Sequence, residues 1–144
     1  MALVREEIEA RLRAALAGRH EILEAYLFGS VARGEARARS DVDVAVYVDA
    51  ATVRDDGFGY EATLSGELAS ALGTDRVDVV RLDLAPPLLY HRVLRDGIRL
   101  LSRDLAATTT REGRALSRYC DYVPQLAKIE RAARARLRAG EFGK

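Results

Sequence analysis

The 144-residue sequence has little cysteine, few aromatic residues and no long apolar run. Its single cysteine, Cys120, excludes an internal disulfide framework and a multi-thiolate metal site. No apolar segment approaches the roughly 20 residues that a membrane-spanning helix needs. The charged N-terminal segment is unlike a signal peptide. With no Trp and 6% aromatic residues, Val, Leu and Ala must fill most of the core. These features predict a soluble, cytoplasmic protein of one compact domain.

The net charge of +1 is spread unevenly along the chain. Residues 1–102 carry 13 Lys or Arg against 17 Asp or Glu, whereas residues 103–144 carry 10 against 5. A basic C-terminal end could bind nucleic acid or an acidic protein, or it could simply face solvent. Because the rest of the chain has no broad basic stripe, we expect neither direct nucleic-acid binding nor membrane binding.

Apolar periodicity predicts a mixed α/β domain with the element order α-β-β-α-β-α-β, followed by a helical part. The clearest strand starts at Asp41, after which apolar residues alternate on one face: Val42, Val44, Val46 and Val48. We therefore expect a mixed β-sheet flanked by helices over residues 1–104. Residues 105–144 form a C-terminal helical extension that packs either on this domain or on a partner.

Several residues of the extension carry more specific expectations. Thr108–Thr110 resembles a helix cap, and Pro124 predicts two helices or one kinked helix. Cys120 lies on the apolar stripe and is expected to be a small buried side chain. Three aromatic residues could either bind a partner or pack on the body: Tyr119, Tyr122 and Phe142. Neither His20 nor His91 has candidate metal ligands near it in sequence, so both are expected on the surface or in helix packing.

The most informative segment places Gly29-Ser30 ten residues before Asp41-Val42-Asp43. Glycine lets the backbone approach a ligand closely, and a following helix would offer free N–H groups to phosphate oxygens. Two acids two residues apart on a strand share one face and repel each other unless a cation lies between them. Mg²⁺ suits such a site because it prefers oxygen ligands and bridges phosphates. The alternative is a pair of ordinary acids on a solvated strand face.

Asp78 is a lone acid at the centre of the strand segment RVDVVRL, whose flanking valines predict a buried strand. It could be a charge that protects an edge strand, but a carboxylate among valines also suits a third metal ligand. Three carboxylates beside a phosphate-binding turn are typical of two-metal phosphoryl or nucleotidyl transfer. We therefore predict that Asp41, Asp43 and Asp78 bind metal and act in catalysis. Asp78 would orient the attacking hydroxyl and help to deprotonate it.

GS-x10-DVD with flanking valines resembles the DNA polymerase β-type nucleotidyltransferase superfamily. The segment GSVARGEARARSDVDVAVYVD is similar to the minimal nucleotidyltransferases, the MNT-type antitoxins that are usually paired with a HEPN-domain ribonuclease toxin. The resemblance implies a nucleotidyltransferase fold that binds ATP with Mg²⁺. It also implies that Gly29 and Ser30 hold the triphosphate. Arg33, within the GSxARG signature, either contacts the triphosphate or faces solvent. Arg37 and Arg39 are expected to be solvated loop charges.

The function that this resemblance implies is an antitoxin that transfers AMP from ATP to a hydroxyl of its HEPN toxin, typically a tyrosine. Two other functions stay open. The protein could mask its toxin by binding alone, or it could modify a small molecule of the aminoglycoside type. About 40 residues follow the catalytic body, which is little for a substrate-binding lobe.

Overall fold

The computed structural model describes residues 3–35, 41–53 and 59–140. A short 3-10 turn at Leu82–Leu84 lies between β3 and α4. In chain order, the other elements of this part of the chain are α1 (Arg5–Ala17), β1 (Ile22–Phe28), α2 (Gly29–Ala32), β2 (Val42–Val48), α3 (Tyr60–Leu72), β3 (Val77–Arg81), α4 (Pro87–Asp96), β4 (Ile98–Ser102) and α5 (Leu105–Arg138). The predicted element order is confirmed, and a four-residue helix follows β1.

The four strands form one mixed sheet in the order β3-β2-β1-β4. The central strand β1 pairs antiparallel with both β2 and β4. β2 and β3 pair in parallel, and the connection between them contains α3. The predicted mixed α/β architecture is therefore confirmed, with β3 and β4 at the sheet edges.

Two apolar clusters cover the two faces of the sheet. The larger one combines the alternating valines of β2 with the apolar stripes of α1 and α3, including Leu12, Leu16, Leu64, Leu68 and Leu72. The smaller one, on the other face, joins β1 and β2 to α4 and α5; its buried members are Tyr26, Phe28, Ala45, Leu82, Tyr90, Val93 and Ala115. Period-two alternation in β2 thus sends Val42, Val44 and Val46 to one face and leaves Asp43 on the other.

Glycine and proline delimit the helices as their chemistry requires. Gly73 ends α3 with a φ of 72°, in the left-handed region that favours glycine at this position. Pro87 occupies the first turn of α4, where its missing N–H costs nothing. No helix in the described ranges is long and apolar enough to cross a membrane.

Two expectations about the C-terminal extension need correction, and one alternative is decided. Asp104, rather than the threonine run, caps α5, because its carboxylate accepts hydrogen bonds from the backbone N–H groups of Ala106 and Ala107. Thr108 is instead fully buried in the second turn. Cys120 is exposed, because it lies on the side of α5 that faces away from the body. Pro124 lies inside one continuous helix of 34 residues, so of the two alternatives the single helix is the one observed.

α5 is joined to the sheet by a buried ion pair. The carboxylate of Glu24 on β1 is completely buried and accepts hydrogen bonds from Nε and Nη2 of Arg111 at 2.7 and 2.6 Å. Thr108 donates to the same carboxylate at 3.0 Å. One turn further along, Glu112 accepts a hydrogen bond of 2.6 Å from the Tyr26 hydroxyl. The first three turns of α5 are therefore an integral part of the fold.

Arg111→Met should destabilise the protein by about 3–5 kcal/mol, because it leaves the buried Glu24 carboxylate without its cation. Arg134→Met on the same helix is the matched control, since Arg134 makes only an exposed pair with Glu130 and should change stability by about 0.5 kcal/mol or less. Urea unfolding at pH 7 measures both variants. Equal stability of the two variants would contradict the importance of the buried pair.

Candidate active site

The candidate site begins where β1 ends. Gly29 has a φ of 77°, which lets the chain turn directly from the strand into α2. Ser30 lies in the first turn of α2, and Arg33 follows the helix. Since the backbone N–H groups at the start of a helix have no partners within the helix, this turn can donate hydrogen bonds to an anion.

Strand pairing brings Asp43 beside this turn. On one side, Asp43 is the register partner of Phe28, the last residue of β1. On its other side, Asp43 pairs in parallel register with Asp78 of β3. Residues in register have side chains on the same face of a sheet, so the pairing makes the carboxylates of Asp43 and Asp78 neighbours. The structure thus brings together residues that lie 35 positions apart in sequence.

Gly29 lies beside the end of the Asp43 side chain. A Cβ placed on Gly29 would overlap the carboxylate of Asp43, which would have to rotate away. The positive φ favours glycine at this position, and the absence of a side chain lets the Asp43 carboxylate stay beside the turn.

The three acids differ in their exposure. Asp43 is half-buried, while Asp41, just before β2, and Asp78 are exposed. Asp78 is the second residue of β3, an edge strand, and not the centre of a strand buried on both faces. The sequence expectation of a charge within a buried strand is corrected in this respect. The open face of the edge strand explains how Asp78 tolerates its position among valines.

The electrostatics of the site are dominated by Asp43. Burial, followed by the nearby negative charges of Asp78 and Asp41, raises the pKa of Asp43 to about 6, and the positive charge of Arg33 opposes this rise. A carboxylate whose pKa is raised in this way is destabilised in its charged form. A cation or a proton bound at this site would relieve the repulsion.

Arg33 is exposed and already has acidic neighbours. Its Nε donates to Glu35 at 3.1 Å, and its Nη1 lies 3.8 Å from a carboxylate oxygen of Asp96 at the end of α4. Arg33 is thus close enough to the acids to act on Asp43. Asp96 gave no signal in the sequence analysis, because it lies 63 positions from Arg33 in an ordinary helix end.

The donor chemistry of the site fits a hard divalent cation. Carboxylate oxygens are preferred ligands of Mg²⁺. The pKa of Asp43 is raised by burial and by the negative charges of Asp78 and Asp41, which a bound cation would offset. In the described part of the chain, no three His, Cys, Asp or Glu side chains are gathered closely enough to form a finished metal site. The three acids are neighbours that a cation would have to draw together.

The other candidate residues lie apart from the acids or outside the described residues. His20 is exposed. His91 stacks on Tyr119 with ring centroids 3.6 Å apart, which agrees with a role in helix packing. Arg37, Arg39 and Phe142 lie outside the described residues.

The polymerase beta nucleotidyltransferase family matches residues 10–106. The chain belongs to this family. The matched range includes the turn at Gly29 and all three acids. A comparison with curated protein sequences finds no match.

Solved structures extend the resemblance beyond the matched range. A chain in a crystal structure of a toxin-antitoxin with AMP-PNP has a TM-score of 0.70 and 28% identity, over 87% of this chain and 98% of that chain. A chain in a complex from Shewanella oneidensis, of a tri-AMPylated HEPN toxin with an MNT antitoxin, has a TM-score of 0.67 and 25% identity, over 90% of this chain and 98% of that chain. A proposed minimal nucleotidyltransferase has a TM-score of 0.53 and 37% identity, over 67% of this chain and 95% of that chain. The resemblance to MNT-type nucleotidyltransferases is confirmed.

Gly29→Ala should destabilise the protein more than Gly34→Ala. Both glycines have a positive φ, 77° and 75°, but a Cβ at Gly34 meets nothing within 4 Å. Gly34→Ala should therefore cost only the backbone strain, about 1–2 kcal/mol. Gly29→Ala should add about 0.5–1.5 kcal/mol, because the end of the Asp43 side chain must rotate out of the space that the Cβ takes. Thermal unfolding of both variants measures the difference, and equal losses would contradict the close contact.

Asp43→Asn should stabilise the metal-free protein at pH 7–8 and have no such effect near pH 4. Because the pKa of Asp43 is raised from 3.8 to about 6, the folded protein binds this proton more tightly than the unfolded chain. The wild type therefore loses stability as the pH rises from about 4 to about 6. Allowing for solvent screening, the gain at pH 8 should be about 1 kcal/mol. Urea unfolding in EDTA over this pH range measures it, and a pH-independent difference would contradict the assignment.

Proposed function

We propose that this protein is an antitoxin that transfers AMP from ATP to a hydroxyl of a partner HEPN-type ribonuclease toxin, with a tyrosine as the expected acceptor. The observation that carries the proposal is the arrangement around Asp43. Its carboxylate lies against the Gly29 turn and is the register neighbour of Asp78. The turn proposed to bind phosphate and the carboxylates proposed to bind a cation thus lie together where β1 ends and β2 begins.

The neighbouring structures support the choice of substrate and partner. One is a toxin-antitoxin with AMP-PNP, an ATP analogue, and another contains a tri-AMPylated HEPN toxin with an MNT antitoxin. This chain spans 98% of both matched chains. By analogy, ATP is the co-substrate and a HEPN toxin is the acceptor.

Each site residue has a distinct role in the proposed reaction. The backbone of Gly29 and the hydroxyl and N–H of Ser30 bind phosphate oxygens, and Arg33 adds a positive charge for the triphosphate. The carboxylates of Asp41, Asp43 and Asp78 would hold Mg²⁺. When bound, Mg²⁺ supplies neutralisation of the phosphate charge and orientation of the nucleotide.

The proposed transfer forms a bond between the acceptor oxygen and the α-phosphorus of ATP. The bond from that phosphorus to the bridging oxygen breaks, and pyrophosphate leaves. The acceptor hydroxyl gives its proton to a nearby carboxylate, for which Asp78 is proposed because it is exposed at the sheet edge. Exposure lets a large protein acceptor reach this carboxylate.

Modification of a small hydroxylated molecule is the less favoured function. After residue 104 the described chain continues as the single helix α5, which is little for a substrate-binding lobe. A protein acceptor would bring its own surface to the open edge of the sheet and would need no such lobe.

Intact-mass measurement tests the proposal directly. The probe is the purified product of the neighbouring reading frame, incubated with this protein, ATP and Mg²⁺. We expect mass increments of one or more AMP units on the probe with the wild type, and a loss of at least about 100-fold in rate with Asp43→Asn, since the variant removes the central carboxylate.

Asp75→Asn is the matched control, because Asp75 is an exposed acid just before β3 and should retain full transfer. If Asp43→Asn neutralises the toxin as well as the wild type does, the protein acts by masking and the catalytic proposal is wrong. If a stable complex forms without any AMP transfer by the wild type, the same conclusion follows.

A further inference from the structure

α5 uses one face to contact the rest of the protein. Four residues at alternating spacings of four and three face the body in its first half. Thr108 and Glu112 hydrogen-bond to the sheet, Ala115 is buried and Tyr119 stacks on His91 of α4. This spacing is the one that helices use when they pack lengthwise against a neighbour.

The body ends before α5 does. Glu112 lines a small cavity with Leu94 and Gly97, whereas Tyr119, two turns later, meets His91. The two helices therefore run antiparallel, and α4 starts at Pro87. One turn beyond Tyr119, α5 has passed the beginning of α4. Its remaining residues, 122–138, extend about 25 Å further at 1.5 Å per residue.

The contact face nevertheless continues along this distal segment, residues 122–138. The same spacing of four and three leads from Tyr119 to Tyr122, Leu126, Ile129 and Ala133. Ile129 on this line is 59% exposed, and Val123 at 41% and Leu137 at 53% are exposed beside it. Tyr122 and Leu126 are partly exposed. Among the described residues, the segment makes no ion pair with the body, and Arg134 pairs with Glu130 of the same helix.

The distal segment is also strongly basic. It contains five basic side chains and one acidic one, Glu130; the basic residues are Lys128, Arg131, Arg134, Arg136 and Arg138. On a helical projection, Arg136 borders the apolar line on one side, and Glu130 and then Arg134 follow it on the other. Lys128, Arg131 and Arg138 lie toward the opposite face. A helix with an apolar stripe and a net positive charge is complementary to an apolar surface that carries acidic residues.

We propose that the distal segment of α5 is a docking helix for an acidic, helical surface of the partner toxin. This inference rests on the proposed function for the identity of the partner. The regular spacing of the apolar residues fits a helix lying alongside, and the net positive charge of the segment favours acidic residues on that helix. The first half of α5, held by the Glu24–Arg111 pair, keeps the docking helix rigidly attached to the catalytic body.

Two other occupants fit less well. In a second copy of this chain, two such segments would bring ten basic side chains against two acidic ones, and like charges oppose that association. Nucleic acid would engage the basic side chains but would leave the line of Tyr122, Leu126 and Ile129 exposed to water. The apolar line therefore favours a protein surface.

The test compares Leu126→Asp with Ala135→Asp in the full chain. Each variant adds one negative charge to the distal segment, but Leu126 lies on the apolar line and Ala135 on the opposite, solvated face. The probe is the purified product of the neighbouring reading frame, titrated by calorimetry. We expect Leu126→Asp to weaken binding at least about 30-fold, as for a central interface residue, and Ala135→Asp to change it less than about 3-fold. Circular dichroism checks that both variants keep their helix content.

Several outcomes would overturn the docking proposal. Equal affinity of both variants for the probe would overturn it, and so would absence of binding by the wild type. Self-association of the wild type that Leu126→Asp abolishes would also overturn it. The same holds if both variants bind an RNA oligonucleotide equally and the protein probe does not bind. If the wild type binds the probe and Leu126→Asp does not, but no AMP is transferred, the docking helix stands and the catalytic proposal fails. AMP transfer by Leu126→Asp at saturating probe would confirm that the variant damages docking and leaves the site intact.

Discussion

Because β1 and β2 are antiparallel, the C-terminal end of β1 lies beside the N-terminal end of β2, and Phe28 pairs with Asp43. The chain must turn at the next residue, and the turn needs a positive φ. Glycine at position 29 satisfies the turn and also leaves space for the Asp43 carboxylate. The parallel strand β3 then adds Asp78 on the other side of Asp43. One pairing register therefore assembles the turn and the acids from three separate parts of the chain.

The same arrangement of acids that forms the candidate site destabilises the folded protein. The neighbouring acids and the partial burial of Asp43 disfavour its charged form, as its raised pKa shows. The same strand compensates on its opposite face, where Val42, Val44 and Val46 are buried in the larger core. Alternation within β2 thus places the stabilising valines on one face of the sheet and the candidate site residue Asp43 on the other. A bound cation would turn the repulsion among the acids into attraction.

The sequence predicted the fold and the position of the candidate site because both depend on local patterns. Valine alternation and the Gly29-Ser30 turn are visible within a few residues, and so are the helix ends at Gly73 and Pro87. The failures involve information that no local pattern carries. Asp78 was expected in a buried strand, but strand order decides that β3 is an edge. Cys120 was expected to be buried, but α5 turns its side chain outward.

Glu24 and Asp78 show why a charge in an apolar strand is ambiguous. Both interrupt apolar strands, yet Glu24 is fully buried and neutralised by Arg111, whereas Asp78 is exposed beside other acids. A buried charge with a structural role is therefore distinguished from a candidate site residue by the side chain that it meets in the folded protein. By the reasoning applied to Asp78, Glu24 would also have been predicted to bind a metal. Its actual partner, Arg111, lies 87 residues away in sequence, so no local pattern could indicate the ion pair.

The structural charge at Glu24 nevertheless serves the proposed function through α5. It fixes the first turns of a helix that is far longer than the body requires, since the body contacts end near Tyr119. A helix of 34 residues would fray at its free end if its only stabilisation were its own backbone. Rigid attachment at Glu24 and an apolar line that continues past the body together favour a helix that is completed by a partner. Under the proposed function, the buried ion pair would hold the helix that docks the partner, and the acidic site would modify that partner.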